Sequence, residues 1–219
     1  MNEANYKYKI YGRLKGRKKT TLLNEEFYNK FIIDFHKDIR KNKKIILDIG
    51  SGSGENSIYL AKKNPNALII ACEIFLDGNI NLCNEIYKHE LKNVKLYDNN
   101  VIKFLDNLTS NNLFNEIWIL FPDPWPKIRH QKRRLINIFF FKRLFNLLKT
   151  RGIIYISTDS ASYLNSIIFT IYKTKKLFRW SNDKPHLWKY EFQNLANTKF
   201  YKKAKKSNRQ SFFIELKKI

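Results

Sequence analysis

Residues 44–54 constrain the fold more than any other stretch. They read Lys-Ile-Ile-Leu-Asp-Ile-Gly-Ser-Gly-Ser-Gly, an apolar run closed by an acid and then by glycine at every second position. Glycine lets a backbone turn sharply and approach a ligand without a Cβ in the way. A strand that ends in such a turn and enters a helix opens an α/β unit. Short apolar runs then alternate with amphipathic stretches. Strands are predicted at 44–49, 68–73, 94–98, 116–121, 152–158 and 211–216. Helices are predicted at 54–63, 77–90, 101–108, 132–149 and 161–175. In 132–149, Leu135, Ile138, Phe139, Leu144, Leu147 and Leu148 recur at helical spacing. This alternation predicts an α/β, doubly wound (Rossmann-like), mostly parallel sheet covered on both faces. The last strand follows a long polar stretch, so it is expected to run antiparallel. Residues 24–37 read as a further helix, with Phe27, Phe31, Ile32 and Phe35 on one face. The length, 219 residues, suits one domain over 21–219, with a mobile basic arm at 1–20 and a functional loop at 181–210.

The glycine turn has an acid partner. The dinucleotide fingerprint wants glycine at 50, 52 and 55; here Glu55 follows Gly50, Gly52 and Gly54. Asp48 stands two residues before the first glycine, where a carboxylate repels a pyrophosphate but suits an amino-acid ammonium or a sulfonium. Glu73 closes the next strand, where an acid accepts both hydroxyls of a ribose. The pair points to S-adenosylmethionine rather than a nicotinamide cofactor, and so to a class I S-adenosylmethionine-dependent methyltransferase sheet. Asn100 follows the third strand, where an adenine would lie. It reads equally as the N-cap of the helix from Val101, and the two roles are compatible.

Charge narrows the partner. Lys plus Arg is 42 against 19 Asp plus Glu, a net charge of +23. A compact domain tolerates such self-repulsion more easily against a polyanion. Abundant Lys, Asn and Ile also fit the bias of an AT-rich genome. The cations are nevertheless clustered, at 7–19 without an intervening acid, 40–44, 127–134 and 199–209. No apolar stretch reaches the ~18 residues of a membrane span, and the N-terminus lacks a signal-peptide apolar region. Cys72 and Cys83 fit reduced structural thiols in a cytoplasmic protein, and no His/Cys group has metal-ligand spacing.

The fourth strand runs into Phe121-Pro-Asp-Pro-Trp-Pro126. Three prolines in five residues leave Asp123 little freedom. Ligands of open α/β sheets sit beyond the carboxyl ends of the strands, where Asp123 lies. Lys127, Arg129, His130, Lys132, Arg133 and Arg134 follow at phosphate-binding density. Their place at the start of a predicted helix disfavours a merely solvated run, because cations oppose the positive helix end.

Phe121-Pro-Asp-Pro-Trp-Pro-Lys-Ile-Arg-His-Gln-Lys-Arg-Arg134 resembles the bacterial tRNA (guanine-N7)-methyltransferases, which act on guanine 46 of the variable loop. The resemblance extends over roughly 10–216, through the glycine turn, Ile70-Ala-Cys-Glu73, Ser157-Thr-Asp159 and Thr198-Lys-Phe200. It implies cofactor contacts from Asp48, Glu73 and Asn100, an active-site role for Asp123, and tRNA contacts from Lys127, Asp159 and Thr198. Two positions depart from the family pattern. Asn100 stands where Asp is common. Tyr201 stands where the family carries Glu, which weakens a carboxylate contact to the base at this substrate position. No obligate protein partner is implied, and the chain is expected as a monomer or homodimer.

Guanine N7 has a lone pair and no proton, so its methylation needs positioning and desolvation more than a base. A carboxylate such as Asp123 favours the positive charge that develops on the base. Asp123 and Asp159 could accept from the guanine N1–H and exocyclic amine. Trp125 or Phe200 could stack on an extruded base, although Trp125 fits packing against its proline corner equally well. Trp180 and Trp188 read as core or loop anchors. A methyltransferase for another substrate would leave the basic clusters unexplained. A catalytically silent RNA-binding protein would leave the Asp48/Glu73 pair unexplained.

Overall fold

A computed structural model describes residues 11, 12, 14, 25–41 and 43–219. Most of the expected arm at 1–20 lies outside the described residues. The chain divides into two compact units, residues 1–109 and 110–219.

The first unit holds α1 (Glu25–Asn29), α2 (Phe35–Lys41), β1 (Lys44–Ile49), α3 (Glu55–Lys63), β2 (Ala67–Cys72), α4 (Leu76–Lys88), β3 (Val94–Tyr97) and α5 (Val101–Asn107). β1 pairs with β2 and β2 with β3, both in parallel, with Asp48 opposite Ala71 and Ile70 opposite Lys95. β1 is buried from Ile45 onward and β2 along its whole length, as a parallel strand covered on both faces requires. Its apolar run is therefore continuous rather than alternating. Cys72 and Cys83 are both free and buried.

The helix expected over 24–37 is corrected. Two short helices flank an extended break, where Ile33 donates to Leu96 O and Leu96 to Phe31 O, each at 2.8 Å. The apolar residues were read as one helical face, but the open edge of β3 offers this segment backbone partners that a helix cannot use. The rings still pack: Phe27 and Phe31 meet edge-on, and Phe35 meets Tyr97 and Phe104.

The second unit holds β4 (Phe114–Leu120), α6 (Ile138–Leu147), β5 (Leu148–Thr158), α7 (Ala161–Lys173), β6 (Phe178–Trp180), α8 (Lys199–Lys206) and β7 (Phe212–Lys218). β4 and β5 are parallel, β7 is antiparallel to β5, and β6 is antiparallel to β7. Three-residue β6 is too short to carry a strand pattern and was not foreseen. The expected antiparallel last strand is present.

The helix expected over 132–149 is also corrected. Residues 128–133 form a separate 3-10 segment. α6 starts only at Ile138, where the Asn137 side chain accepts from Phe140 N at 3.1 Å. Leu148 already belongs to β5, and Phe139, assigned to the apolar face, is 84% exposed. The basic run therefore does not open a helix, so the helix-dipole argument against a solvated run does not apply.

The 181–210 stretch is more ordered than its composition suggests. It contains a 3-10 turn at Pro185–Lys189 and then α8. Trp180 and Trp188 stack at 4.8 Å, and both indoles donate to Asn182, to its side chain and its carbonyl. The Asn182 amide in turn donates to Phe213 O at 2.8 Å and accepts from Glu215 N at 2.9 Å on β7. One asparagine thus fastens the start of this stretch to β7. Asn182→Ala should lower unfolding free energy by about 1–3 kcal/mol, the cost of leaving such groups unpaired, as read by denaturant titration. A change within error would show that the tryptophan stack holds the loop without it.

Candidate active site

Three glycines of the first unit turn the chain from β1 into α3 in left-handed conformations: Gly50 at φ 72°, Gly52 at φ 59° and Gly54 at φ 88°. A Cβ on Gly54 would lie 2.5 Å from Leu82 of α4. The turn is pressed so tightly on α4 that a Cβ on Gly78 would come within 2.2 Å of Gly52 O. Beside Gly50, among the described residues, nothing lies within 4 Å of an added Cβ.

Asp48 lies beneath this turn, 1% exposed. Its carboxylate accepts from Asn56 Nδ2 at 3.0 Å and Ser57 Oγ at 2.6 Å, both in the first turn of α3. Burial raises its pKa to about 6. The two hydrogen bonds pull the other way, and the Glu73 and Glu55 charges add to the rise. Glu73 ends β2, as expected, and its carboxylate takes Gly52 N at 2.9 Å, Ile74 N at 2.7 Å and Phe75 N at 3.0 Å. A carboxylate has about four acceptor positions, so capacity for a ligand hydroxyl remains beyond these three. Asn100 caps α5 by accepting from Ile102 N at 2.8 Å. Its amide oxygen serves the cap.

These residues fit S-adenosylmethionine. The acid beneath the turn, Asp48, suits its cationic end, and Glu73 keeps acceptor capacity for a ribose hydroxyl. Among the described residues, the buried Ser51 hydroxyl has no hydrogen-bond partner, and the space beside Gly50 is open. Among the described residues, no group of three or more His, Cys, Asp or Glu could hold a metal ion.

In the second unit, β4 ends in a strained corner. Phe121 at φ 50° and Trp125 at φ 41° are left-handed without being glycine, each at a cost of about 1–3 kcal/mol. Asp123 reaches solvent, yet the surrounding protein desolvates its carboxyl and raises its pKa. Trp125 packs on its own 3-10 segment, with the Arg133 guanidinium 5.0 Å over its ring and His130 edge-on. That favours the packing role for this tryptophan. Lys127, Arg129 and Lys132 are exposed. His130 has its pKa lowered by desolvation and then by Arg133, Arg129, Lys127 and Lys132.

Arg134 corrects an expectation. It was grouped with the phosphate-facing cations but is 6% exposed, and its guanidinium is turned into the protein. Tyr201 is a second correction. It is 5% exposed, its ring stacks on Phe121 at 5.6 Å, and its hydroxyl donates to Glu191. Glu191 also pairs with Lys205 at 3.1 Å. The residue at 201 packs the loop instead of presenting a polar group to a base.

Asp159 follows β5 and accepts from Arg209 Nε at 2.7 Å. Thr198 caps α8 through Tyr201 N. The strand ends thus bring Asp123, Asp159, Thr198 and the basic segment into one unit, with Phe121 N donating to Ser157 O at 2.9 Å. Glu191 was not foreseen, and Arg209, expected only as a cation of the 199–209 cluster, pairs with Asp159. The one available signal for Glu191 is that it is the lone acid between Asp183 and Glu215.

Three parallel strands in the first unit and, in the second, parallel β4 and β5 with antiparallel β7 fit the strand inventory of a class I methyltransferase. A methyltransferase from Streptococcus mutans, solved in complex with SAH, shares the fold with a TM-score of 0.54 at 12% identity, over 89% of this chain and 94% of that one. The Methyltransf_4 model, which describes a methyltransferase family, matches residues 42–214. The tRNA (guanine-N(7)-)-methyltransferase of Leptospira interrogans is 37% identical over 169 residues, 77% of this chain and 76% of that protein. The bifunctional methyltransferase of Rickettsia conorii is 33% identical over 98% of this chain, which spans only 40% of that protein. The chain belongs to the Methyltransf_4 family and, within it, to the bacterial tRNA (guanine-N7)-methyltransferases.

The Asp48 carboxyl sets a pH dependence. Its folded pKa, about 6, lies above the ordinary 3.8, so between these values the folded state binds more protons than the unfolded chain. Stability must therefore fall as pH rises through that window, by about 3 kcal/mol at most. Asp48→Asn removes this titration. The stability of the wild type relative to the variant should decline from pH 4 to pH 6, measured by denaturant unfolding at each pH. A constant difference would place Asp48 in a better-solvated site.

Proposed function

We propose that the chain transfers a methyl group from S-adenosylmethionine to N7 of guanine 46 in the variable loop of tRNA, in the cytoplasm. The observation that carries this reading is a combination found in a chain of this family. An acid-framed glycine turn remains intact in one unit, and an acidic proline corner in the other is flanked by exposed cations. A silent RNA-binding protein needs no buried Asp48 beneath the turn. A methyltransferase for a small neutral substrate needs no run of cations after the corner.

S-adenosylmethionine supplies the electrophilic methyl of its sulfonium. As the N7–C bond forms and the S–C bond breaks, positive charge moves onto the guanine and no proton is transferred. Glu73 and the glycine turn hold the ribose and amino-acid ends of the cofactor. Asp123 provides negative charge for the developing cation and, with Asp159, accepts the N1–H and exocyclic amine that distinguish guanine from adenine. Lys127 and Thr198 hold the flanking nucleotide. Arg129, Lys132 and Arg133 take phosphates. For Asp159 to read a base, it must share or release its bond with Arg209.

Methyl transfer to an unmodified tRNA transcript tests the reading. Incorporation should appear as 7-methylguanosine at position 46, and a transcript carrying adenine there should accept no methyl. Equal labelling of both transcripts, or none of either, would sink it. Asp123→Asn and Asp123→Ala should each lower turnover about 100-fold or more without unfolding the protein. In the wild type, turnover should fall as pH drops through an apparent pKa above that of an ordinary aspartate, because burial raises the Asp123 pKa and its anion is lost on protonation. The Asp123→Asn variant should lack that acid limb.

A further inference from the structure

Arg134 is the cation whose placement the functional reading leaves unexplained. Its guanidinium makes four hydrogen bonds, all to neutral oxygens. Nε donates to Pro124 O at 2.9 Å. Nη1 donates to Ser162 O at 3.0 Å and to Ser166 Oγ, and Nη2 donates to Ser162 Oγ at 2.9 Å. The guanidinium lies 5.0 Å over the ring of Tyr163, whose hydroxyl accepts from Ile136 N at 3.0 Å. A rigid planar fork is what such a set of acceptors requires, and a lysine cannot reproduce it.

The carbonyl it holds belongs to Pro124, between Asp123 and Trp125. That corner is strained, with Phe121 and Trp125 both left-handed within five residues. Strain of this kind persists only where surrounding contacts over-determine it. Prolines fix φ but leave ψ free, so Pro122, Pro124 and Pro126 do not by themselves fix the direction of the Pro124 carbonyl. The fork from Arg134 does, and it ties that carbonyl to the first turns of α7. Burying a cation among neutral oxygens is costly, and an apolar side chain would fill the same space more cheaply. The surplus is directional control of the corner.

We infer that Arg134 is a positioning residue that locks the Pro122–Pro126 corner to α7 and thereby orients Asp123 toward the base undergoing methylation. The assignment to Asp123 rests on the proposed function, whereas the lock itself does not. A misplacement of about 1 Å can cost roughly 100-fold in rate, so a loosened corner should act on kcat rather than on tRNA binding.

The test uses the full chain labelled with 5-fluorotryptophan, in the wild type, Arg134→Gln and Arg134→Lys. The Trp125 line, assigned with Trp125→Phe, should be single and sharp in the wild type. It should broaden or split in Arg134→Gln, while the lines of Trp118, Trp180 and Trp188 stay in place. In methylation assays, Arg134→Gln should lose about 10–100-fold in kcat, with KM for tRNA and its salt dependence unchanged. Arg134→Lys should recover part of that loss. Arg129→Ala, by contrast, should raise KM and make the salt slope shallower. If Arg134→Gln does not fold, the double variant Ser162→Ala/Ser166→Ala removes two acceptors, leaves Arg134 in place and should move the same Trp125 line. An unmoved Trp125 line, or a shallower salt slope with unchanged kcat, overturns the inference and returns Arg134 to the phosphate contacts. A wild type that methylates no tRNA overturns the proposed function instead, while the Trp125 line still reports on the lock.

Discussion

The buried carboxylate of Asp48 is the interaction on which the cofactor half depends. It ends an apolar strand and accepts from Asn56 and Ser57 on the helix that follows. A strand and a helix joined by three left-handed glycines have no side chains of their own to pack at those positions, although Gly50 N also donates to Cys72 O at 2.8 Å. The carboxylate replaces that missing packing with two directional bonds. Glu73 does the same from the next strand by holding Gly52 N. Two acids that read as ligand contacts in the sequence are therefore also the frame of the loop that would carry the ligand. The double use is physically consistent: a carboxylate fixed by protein donors keeps its charge in place and needs little reorganisation when a cation arrives.

Much of this was legible in the residues. The glycine turn, both acids and the Asn100 cap sit where spacing placed them, because a parallel strand buried on both faces leaves an uninterrupted apolar run whose end is easy to find. The errors arose where a pattern has two solutions. Phe27, Phe31, Ile32 and Phe35 satisfy a helical face, but the open edge of β3 takes Phe31 and Ile33 as backbone partners. Leu135 to Leu148 satisfy one long helix, but the chain spends 128–133 on a 3-10 segment and begins a strand at Leu148. Arg134 shows a deeper limit. Next to Arg133 in a run of cations, it has nothing in its local sequence that marks it as buried. Its partners, Ser162 and Ser166, lie about thirty residues away and look like ordinary helix-surface serines.

Charge is divided between the units. In the first, the notable groups are acids beneath a glycine turn. In the second, exposed cations follow the desolvated Asp123 carboxyl in the chain. α8 makes the second pattern plain: Tyr201 and Ala204 are buried, while Lys199, Lys202, Lys203, Lys205 and Lys206 are exposed beside Phe200. Here the cations occupy the solvent side of a helix whose buried side packs against the strained corner through Tyr201 and Phe121. A phosphate held by this helix would therefore be coupled, through one aromatic stack, to the backbone that carries Asp123.

That coupling suits the chemistry proposed. N7 of guanine needs no proton removed, so there is no base to tune and little to gain from a reactive side chain. The rate must then come from holding a base and a methyl group in line, and a site of that kind should invest in rigid geometry. The second unit does so. At its corner, Phe121 and Trp125 are left-handed without being glycine, three prolines limit the turn, an aromatic stack supports one end and a buried guanidinium holds the other. The corner is costly to fold and has one carboxyl to present, which is the expected form of a site whose main task is to place a nucleophile that is already reactive.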